Sequence, residues 1–395
     1  MVGEKNYVVV TVSGRDHPGI TASFTRILDG HHIELAGIDQ AALQDFLALT
    51  FLFSLDRDGA DRNSVLKDLL FEANRLDMRL HFQLLSEQEL RHRKDKNMFV
   101  LTFFGGTSVL AELSGTLGDA RANIEKITTL GGTSARGTEL TVNVRGVENL
   151  SLLKQALVNI SRQLGVDLAF QKLESYRKGK RLIFFDMDQT LLDMEVIDEM
   201  ARAAGSYDEV ARVTEKAMRG DLDFQDSLRQ RVAFLKGLTV AQLREISNGL
   251  RVSEGAERLI ATLKRMGYRV GVLSGGFHFF ADGLVETLGL DFAYANRLEM
   301  RDGVLTGRLE GDIIDGPAKA RIVHEVAASS GVLLDQTVAI GDGANDSLML
   351  GQAGLGIAYN AKEALAQVAS AQLGRTRLWN ILYILGITEA DIAAG

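Results

Sequence analysis

The chain has 395 residues, enough for two or three domains, because a domain averages about 150 residues. Hydrophobic residues make up 46% of the sequence and charged residues 24%, a globular composition that excludes an intrinsically disordered chain. The formal net charge of -8 argues against nucleic acid as a main partner, and the absence of cysteine excludes disulfides, thiol catalysis and thiolate metal sites.

The first part of the chain predicts two similar units in series. Apolar and β-branched patterns give the order βαββαβ, with segments at residues 7–12, 20–28, 33–43, 46–55, 62–76 and 78–85. After a charged linker the same order returns, with segments at residues 98–104, 108–117, 124–130, 139–144, 150–164 and 166–171. Each unit predicts an antiparallel sheet with its helices on one face. Because such sheets leave exposed edges, we expect a homodimer or a larger homo-oligomer.

The pattern changes after a basic linker that ends near residue 181. Short, continuously apolar segments at 182–185, 269–273 and 337–340 predict strands of a parallel sheet that is buried on both faces. Residues 196–250 have helical spacing and no strong strand, so we expect a helical insertion that covers the sheet. The predicted fold class is α/β, a doubly wound parallel-sheet domain with a helical cap. We expect domain boundaries at 1–86, 97–173 and 181–395.

Aspartates follow two of these predicted strands. Asp186 and Asp188 come after the first strand, and Asp342 and Asp346 after the last. Ligands of open parallel sheets bind at the carboxyl ends of the strands, so we expect the four carboxylates to meet there. Each pair would repel by about 4 kcal/mol at 4 Å with an effective dielectric near 20, and a divalent cation such as Mg²⁺ would relieve this. Helix capping, the alternative, explains one aspartate more readily than four.

Two further features favour a phosphate-binding site. Ser274 and Gly275 lie between a predicted strand and a helix predicted at 277–288, where free N–H groups bind anions. Lys319 lies in the first turn of a helix that begins near Pro317, where the helix dipole disfavours a cation unless an anion is bound. An ordinary turn and a solvated surface lysine remain the alternatives.

Together these residues resemble the four motifs of the haloacid-dehalogenase superfamily of phosphotransferases. The matching residues, in order and strand context, are Asp186-Met187-Asp188-Gln189-Thr190, Ser274-Gly275, Lys319 and Gly341-Asp342-Gly343-Ala344-Asn345-Asp346. The insertion resembles the cap of the phosphoserine phosphatases at Glu195, Met218, Phe224 and Arg231. The N-terminal repeats resemble ACT domains, which are small-molecule sensing units of ferredoxin-like topology.

The resemblance implies hydrolysis of O-phospho-L-serine to L-serine and phosphate, the last step of L-serine biosynthesis. It implies that Asp186 is the nucleophile, which becomes an aspartyl-phosphate, and that Asp188 is the general acid and base. Mg²⁺ would be held by the side chains of Asp186 and Asp342 and the carbonyl of Asp188, with Asp346 supporting Lys319 and the metal waters.

The same resemblance implies how the substrate is held. The phosphoryl group would contact Ser274, Gly275, Lys319 and Asn345. Glu195 would bind the α-ammonium group and Arg231 the α-carboxylate. Met218 and Phe224 would exclude water from the site. Without the resemblance, simpler interpretations would be preferred. Arg231 would be a surface residue of a helix, and Met218 and Phe224 would pack in the core of the cap.

The resemblance also implies an amino-acid effector, for which L-serine is the natural candidate. In the first repeat the ligand turn contains Asp16, Pro18 and Gly19. The corresponding turn of the second repeat, Gly105-Gly106-Thr107-Ser108, has neither Asp nor Pro. A purely structural role is therefore as well supported for the second repeat as ligand binding.

Two other functions stay open from the sequence. One is a phosphatase or phosphotransferase of the same superfamily that acts on another small substrate, and the other is a non-catalytic amino-acid sensor. The N-terminal residues show no signal-peptide pattern, and no apolar run approaches the roughly 20 residues that span a bilayer. We therefore expect a cytoplasmic protein with no membrane partner.

Overall fold

The computed structural model describes residues 6–54, 62–87, 89, 97–131, 137–173, 177, 179–361, 365, 369–374 and 377–394. The chain divides into two compact units, Met1–Lys96 and Asn97–Gly395. The predicted linker between the repeats lies largely outside the described residues.

The first unit has the predicted βαββαβ order. Its elements are β1 (Asn6–Arg15), α1 (Ile20–Gly30), β2 (Leu35–Leu43), β3 (Phe46–Ser54), α2 (Arg62–Arg75) and β4 (Arg79–Ser86). The strands pair antiparallel in the order β2-β3-β1-β4. Alternate residues of β1 and β3 are buried against apolar positions of α1, which explains why an alternating sequence forms this sheet.

The second repeat has the same order within the second unit. Its elements are β5 (Met98–Phe104), α3 (Thr107–Asp119), β6 (Asn123–Thr129), β7 (Gly137–Asn143), α4 (Leu150–Leu164) and β8 (Leu168–Lys172). The side chain of Asn149 caps α4 by accepting from the backbone N–H groups of Ser151 and Leu152. In both repeats the element bounds differ from the predicted ones by three residues or fewer.

A mostly parallel sheet forms the centre of the second unit. Its strands are β9 (Leu182–Phe185), β10 (Arg269–Phe277), β11 (Phe292–Arg301), β12 (Val304–Glu310), β13 (Thr337–Gly341), β14 (Leu355–Tyr359) and β15 (Ala371–Leu373). β9 lies between β10 and β13 and is parallel to both. The four residues of β9 are buried, as its continuously apolar sequence predicts.

The sheet of the second repeat continues this central sheet. Among the described residues, β15 pairs antiparallel with β8, which gives an 11-stranded sheet in the order β12-β11-β10-β9-β13-β14-β15-β8-β5-β7-β6. Apolar runs in the sequence predict β9, β10 and β13 but not β11, β12, β14 or β15. β11 and β12 pair antiparallel, and charged residues such as Arg297, Glu299 and Arg308 interrupt the apolar pattern that marks a central strand.

The predicted helical insertion is confirmed as a cap of four helices among the described residues. They are α5 (Val196–Ala204), α6 (Tyr207–Met218), α7 (Phe224–Ala233) and α8 (Val240–Asn248). A bridge between Leu192 and Val252 joins the two chain segments that lead into and out of the cap. Within the described part of the chain, no helix has the length and apolar character needed to cross a bilayer.

The remaining α-helices of the described residues follow the cap in the chain. They are α9 (Ala256–Arg265), α10 (His278–Leu288), α11 (Gly316–Ser329), α12 (Ser347–Gln352), α13 (Ile381–Ile384) and α14 (Glu389–Ala394). α11 has the proline near its start that the sequence analysis used to place it, and the side chain of Asp315 caps it.

Candidate active site

Three of the predicted aspartates meet where β9 and β13 end. The N–H of Asp186 donates to the carbonyl of Ile340 at 2.8 Å, which sets the first residue after β9 beside the end of β13. Asp186, Asp342 and Asp346 each offer a carboxylate oxygen, and these oxygens lie within 4.8 Å of one another. We call these three residues the acidic cluster.

Asp188 lies at the same end of the sheet and lines the same cavity, but it is not one of the three residues of the acidic cluster. Its Oδ1 accepts a hydrogen bond at 2.8 Å from the N–H of Val196, the first residue of α5, so its side chain lies outside the acidic cluster. Burial, and then the carboxylate of Glu195, raise the pKa of Asp188 well above its ordinary value. Asp188 therefore lies beside the cluster, at the start of the cap, in an environment that favours its protonated form.

Lys319 is an internal cation of this site and not a surface lysine. Its side chain is fully buried, and its Nζ donates to Asp186 Oδ1 at 2.7 Å and to Asp346 Oδ1 at 2.6 Å. Burial alone would lower the pKa of Lys319, but the two carboxylates outweigh it and raise the pKa. The position of Lys319 in the first turn of α11 is thus explained by the carboxylates it contacts.

The acidic cluster has three carboxyl groups, two of which are paired with the ammonium group of Lys319. Burial, followed by Asp186 and Asp346, raises the pKa of Asp342 to about 8. Burial and then the carboxylate of Asp186 raise the pKa of Asp346 to about 6, and they outweigh the opposing effect of Lys319. An excess of carboxylate oxygens without His or Cys ligands is what a hard divalent cation requires, so these residues fit a metal ion such as Mg²⁺.

The backbone around residues 274–276 is arranged for close approach to a ligand. β10 does not end at residue 273 as predicted but continues to Phe277, and α10 begins at His278. Ser274 is buried, and its Oγ accepts from the N–H of Gly276 at 2.8 Å. A Cβ atom on Gly275 would lie 2.9 Å from the ring of Phe224, so a side chain there would collide with the cap.

A cavity of about 1160 Å³ lies between the cap and the acidic cluster. The predicted site residues that line it are Asp186, Asp188, Glu195, Met218, Phe224, Arg231, Ser274, Gly275, Asp342 and Asn345. The other two residues predicted for the phosphatase site, Lys319 and Asp346, are buried. The structure therefore brings the predicted catalytic, metal and substrate residues to one place.

The cap residues differ in how far they match the simpler roles that the sequence left open, and Phe224 does pack against the hydrophobic core. Met218 is 67% exposed and lines the cavity, so it is not part of the cap core. Phe224 and Arg231 are half-buried and also face the cavity. Burial lowers the pKa of Arg231, and the carboxylates of Glu195 and Asp198 oppose that shift. An arginine that lines a cavity can bind an anionic ligand group there through its fork of N–H donors.

Two polar residues at this site were missed by the sequence analysis. Gln225, in the cap, donates from Nε2 to Asp315 Oδ2 at 2.7 Å. Asn296, in β11, bonds to the backbone on both sides of the site, as described below. A polar residue within the apolar run Phe292-Ala293-Tyr294-Ala295-Asn296 was the available signal for Asn296, but only the folded chain shows its partners.

A second cavity, of about 520 Å³, lies in the first unit. It is lined by the three residues of the predicted ligand turn, Asp16, Pro18 and Gly19, and by Gln40, which accepts a hydrogen bond from Thr21 at 2.8 Å. Gly19 has a φ of 100°, a conformation that favours glycine. The turn that the sequence indicated thus borders a space that a small molecule can enter.

Comparison with known families matches three parts of the chain, the two repeats and the domain that contains the central sheet. Residues 183–351 match the haloacid dehalogenase-like hydrolase family. Residues 6–83 and 106–171 each match an ACT domain family. The predicted fold classes of both parts are therefore confirmed.

Individual relatives extend the match to the full chain. The sequence is 39% identical over 391 residues to a phosphoserine phosphatase of Mycobacterium tuberculosis, covering 98% of this chain and 95% of that protein. It is 38% identical to a phosphoserine phosphatase of Streptomyces coelicolor, covering 98% and 94%. A solved structure of a probable phosphoserine phosphatase from Vibrio cholerae is similar with a TM-score of 0.57 and 32% identity, covering 75% of this chain and 88% of that one. The chain is thus a phosphatase that belongs to the phosphoserine phosphatase family of haloacid dehalogenase-like hydrolases, with ACT domains in its N-terminal region.

Proposed function

We propose that this enzyme hydrolyses O-phospho-L-serine to L-serine and phosphate through a covalent aspartyl-phosphate on Asp186. The observation that carries the proposal is the position of Asp186 after the central strand β9, lining the cavity and held at 2.7 Å by a fully buried lysine. The names of the full-length relatives support the choice of substrate.

The reaction takes place in two steps. The carboxylate of Asp186 attacks phosphorus, the bond from phosphorus to the serine oxygen breaks, and Asp188 gives a proton to that oxygen. Asp188 then takes a proton from a water whose oxygen attacks phosphorus, the bond to Asp186 breaks, and phosphate leaves. The bond from Val196 N–H occupies Asp188 Oδ1, so Oδ2, which lies next to Gly276 and the cavity, is the oxygen we assign to proton transfer.

We propose that the side chains of Asp186 and Asp342 and the carbonyl of Asp188 hold Mg²⁺, with Asp346 supporting Lys319 and the metal waters. When bound, the ion offsets the repulsion between an anionic nucleophile and an anionic phosphate. The phosphoryl oxygens are bound by Ser274, Gly275, Lys319 and Asn345. The excess of carboxylates over ammonium groups in the acidic cluster supports this assignment.

The amino-acid end of the substrate is bound by the cap. Arg231 takes the α-carboxylate, Glu195 takes the α-ammonium group, and Met218 and Phe224 exclude water. The half-buried position of Arg231 in the cavity and its electrostatic coupling to Glu195 support these roles. A substrate with both charges of an amino acid matches the two opposite charges that the cap presents.

We further propose that the enzyme supplies the last step of L-serine biosynthesis in the cytoplasm and that L-serine regulates it. Residues 1–86 and 97–173 act as sensor domains before the phosphatase domain at 181–395, and they associate as a homodimer or a larger oligomer. The cavity at Asp16, Pro18 and Gly19 supports an effector site in the first repeat.

The test is phosphate release from O-phospho-L-serine with Mg²⁺ or EDTA, for the wild type and Asp186→Asn. Turnover should need the metal and be lost in the variant, whose circular dichroism should stay unchanged.

Borohydride reduction during turnover should convert Asp186 of the wild type to homoserine, because an acyl phosphate is reduced there. Full activity of Asp186→Asn would refute the nucleophile, and phosphate transfer to added homoserine would favour the phosphotransferase alternative.

A further inference from the structure

A single buried side chain joins the backbone at Gly275 to the segment that leads to Lys319. Asn296 in β11 is 2% exposed. Its Nδ2 donates to the carbonyl of Gly275 at 2.8 Å, and its Oδ1 accepts from the N–H of Ile314 at 2.7 Å. We propose that Asn296 is a positioning residue that holds these two phosphate-binding segments in one geometry.

The need for this side chain arises from the pairing of β10 with β11. Leu273 pairs with Tyr294 and Phe277 with Asn296, so four steps along β10 match two along β11. The two extra residues open the backbone ladder at the point where Ser274 and Gly275 face the cavity. A partly buried carbonyl that lacks a ladder partner needs another hydrogen-bond donor. The amide of Asn296 supplies that bond to Gly275.

The other end of the amide reaches the segment before α11. Ile314 is followed by Asp315, whose carboxylate caps α11 by accepting from the N–H of Ala318 at 2.9 Å. Lys319 lies in the first turn of that helix. One planar amide therefore relates the backbone at Gly275 to the start of the helix that carries Lys319.

Gly275, whose carbonyl accepts from Asn296, is also closely surrounded by the cap and by the segment before α11. A Cβ atom at Gly275 would lie 2.9 Å from the ring of Phe224 and 3.7 Å from the carbonyl of Ile314. Asn296 is not among the described residues that line the active-site cavity, so it acts on the ligand only through the segments it holds.

The chemistry of the side chain is specific. One group must donate to a carbonyl and accept from an N–H at the same time, which a planar amide does and a carboxylate does not. Asn296→Asp keeps nearly the same shape and can still accept from Ile314, but when ionised it cannot donate to Gly275. Asn296→Ser is smaller and can satisfy one backbone partner but not both.

The inference rests on the proposed roles of Ser274, Gly275 and Lys319 in phosphate binding. The experiment distinguishes a failure of this inference from a failure of the proposed function. We would measure kcat and KM with O-phospho-L-serine and with p-nitrophenyl phosphate, together with inhibition by inorganic phosphate. In both variants, kcat/KM should fall by about 10- to 100-fold, the range expected for loss of a buried hydrogen bond. The decrease in kcat/KM should be the same for both substrates, and inorganic phosphate should inhibit more weakly. The reason is that the substitution alters the part of the site that binds the phosphoryl group, which both substrates and phosphate share.

Gln171 offers a matched control. It is a buried amide in β8 whose Nε2 donates to the carbonyl of Ile384, also at 2.8 Å. Gln171→Glu removes the same kind of donor and should lower the melting temperature while leaving kcat/KM and phosphate inhibition unchanged.

The inference is overturned if the folded Asn296 variants lose stability but keep wild-type kcat/KM and phosphate inhibition. It is also overturned if only phosphoserine turnover falls. Failure of the wild type to hydrolyse phosphoserine would refute the proposed substrate alone, because p-nitrophenyl phosphate and inorganic phosphate still report on the phosphoryl end.

Discussion

Gln225 in cap helix α7 donates to Asp315 Oδ2 at 2.7 Å, and Asp315 is the residue that caps α11. This bond connects the cap to the helix that carries Lys319. The two residues are 90 positions apart in sequence, so the bond depends on how the cap packs beside the start of α11.

Loss of this bond should weaken substrate binding more than turnover. We expect Gln225→Ala to raise KM for phosphoserine by about 5- to 10-fold, the effect of one hydrogen bond, and to change kcat by less than about twofold. Gln225→Glu should have a larger effect that decreases with salt, because it sets a carboxylate against Asp315. Gln230→Ala on the exposed face of the same helix is the control. A wild-type KM in both Gln225 variants would contradict the role of the bond.

Arg231 should decide substrate selectivity. Arg231→Ala removes the cation that we assign to the α-carboxylate, so kcat/KM for phosphoserine should fall by about 100-fold, in the range of a lost charged hydrogen bond. p-Nitrophenyl phosphate has no carboxylate, and its kcat/KM should change by only a few-fold. Steady-state kinetics with both substrates measures this. Equal losses on the two would show that Arg231 supports the site in general and not the amino-acid end.

Metal binding should be visible as stability. At a Mg²⁺ concentration of about 100 times Kd, binding to the folded state alone adds about 2.7 kcal/mol to the free energy of unfolding. We therefore expect the melting temperature to rise on addition of Mg²⁺ to EDTA-treated protein, and this rise to be much smaller in Asp342→Asn. Thermal denaturation with and without Mg²⁺ measures both. An undiminished rise in the variant would place the ion away from the acidic cluster.

The first repeat should carry the response to L-serine. Asp16→Ala alters the turn that borders the cavity of the first unit, so inhibition by L-serine should weaken while kcat without effector stays near the wild-type value. Asp29→Ala, an exposed position at the end of α1, is the control. If inhibition persists in Asp16→Ala and is competitive with phosphoserine, L-serine acts at the catalytic site as a product.

Local sequence patterns were sufficient to predict most of the helices and strands that hold the site. The alternation of apolar residues in β1 and β3, the buried run of β9 and the helical spacing of the cap each follow from neighbours in sequence. The expectation that Asp186 and Asp342 meet also needed only the sequence, because the carboxyl ends of parallel strands lie at the same edge of a sheet.

Folding in three dimensions decided the relationships between distant segments. The junction of β8 with β15, the turn of Asp188 toward Val196, the burial of Lys319 between two carboxylates and the two bonds of Asn296 are not visible in any periodicity. Periodicity reports which face of an element is buried, whereas a hydrogen bond between remote residues depends on how elements pack and where a strand register shifts. The residue types that perform the chemistry could therefore be read from the chain, but the side chains that hold them in place could not.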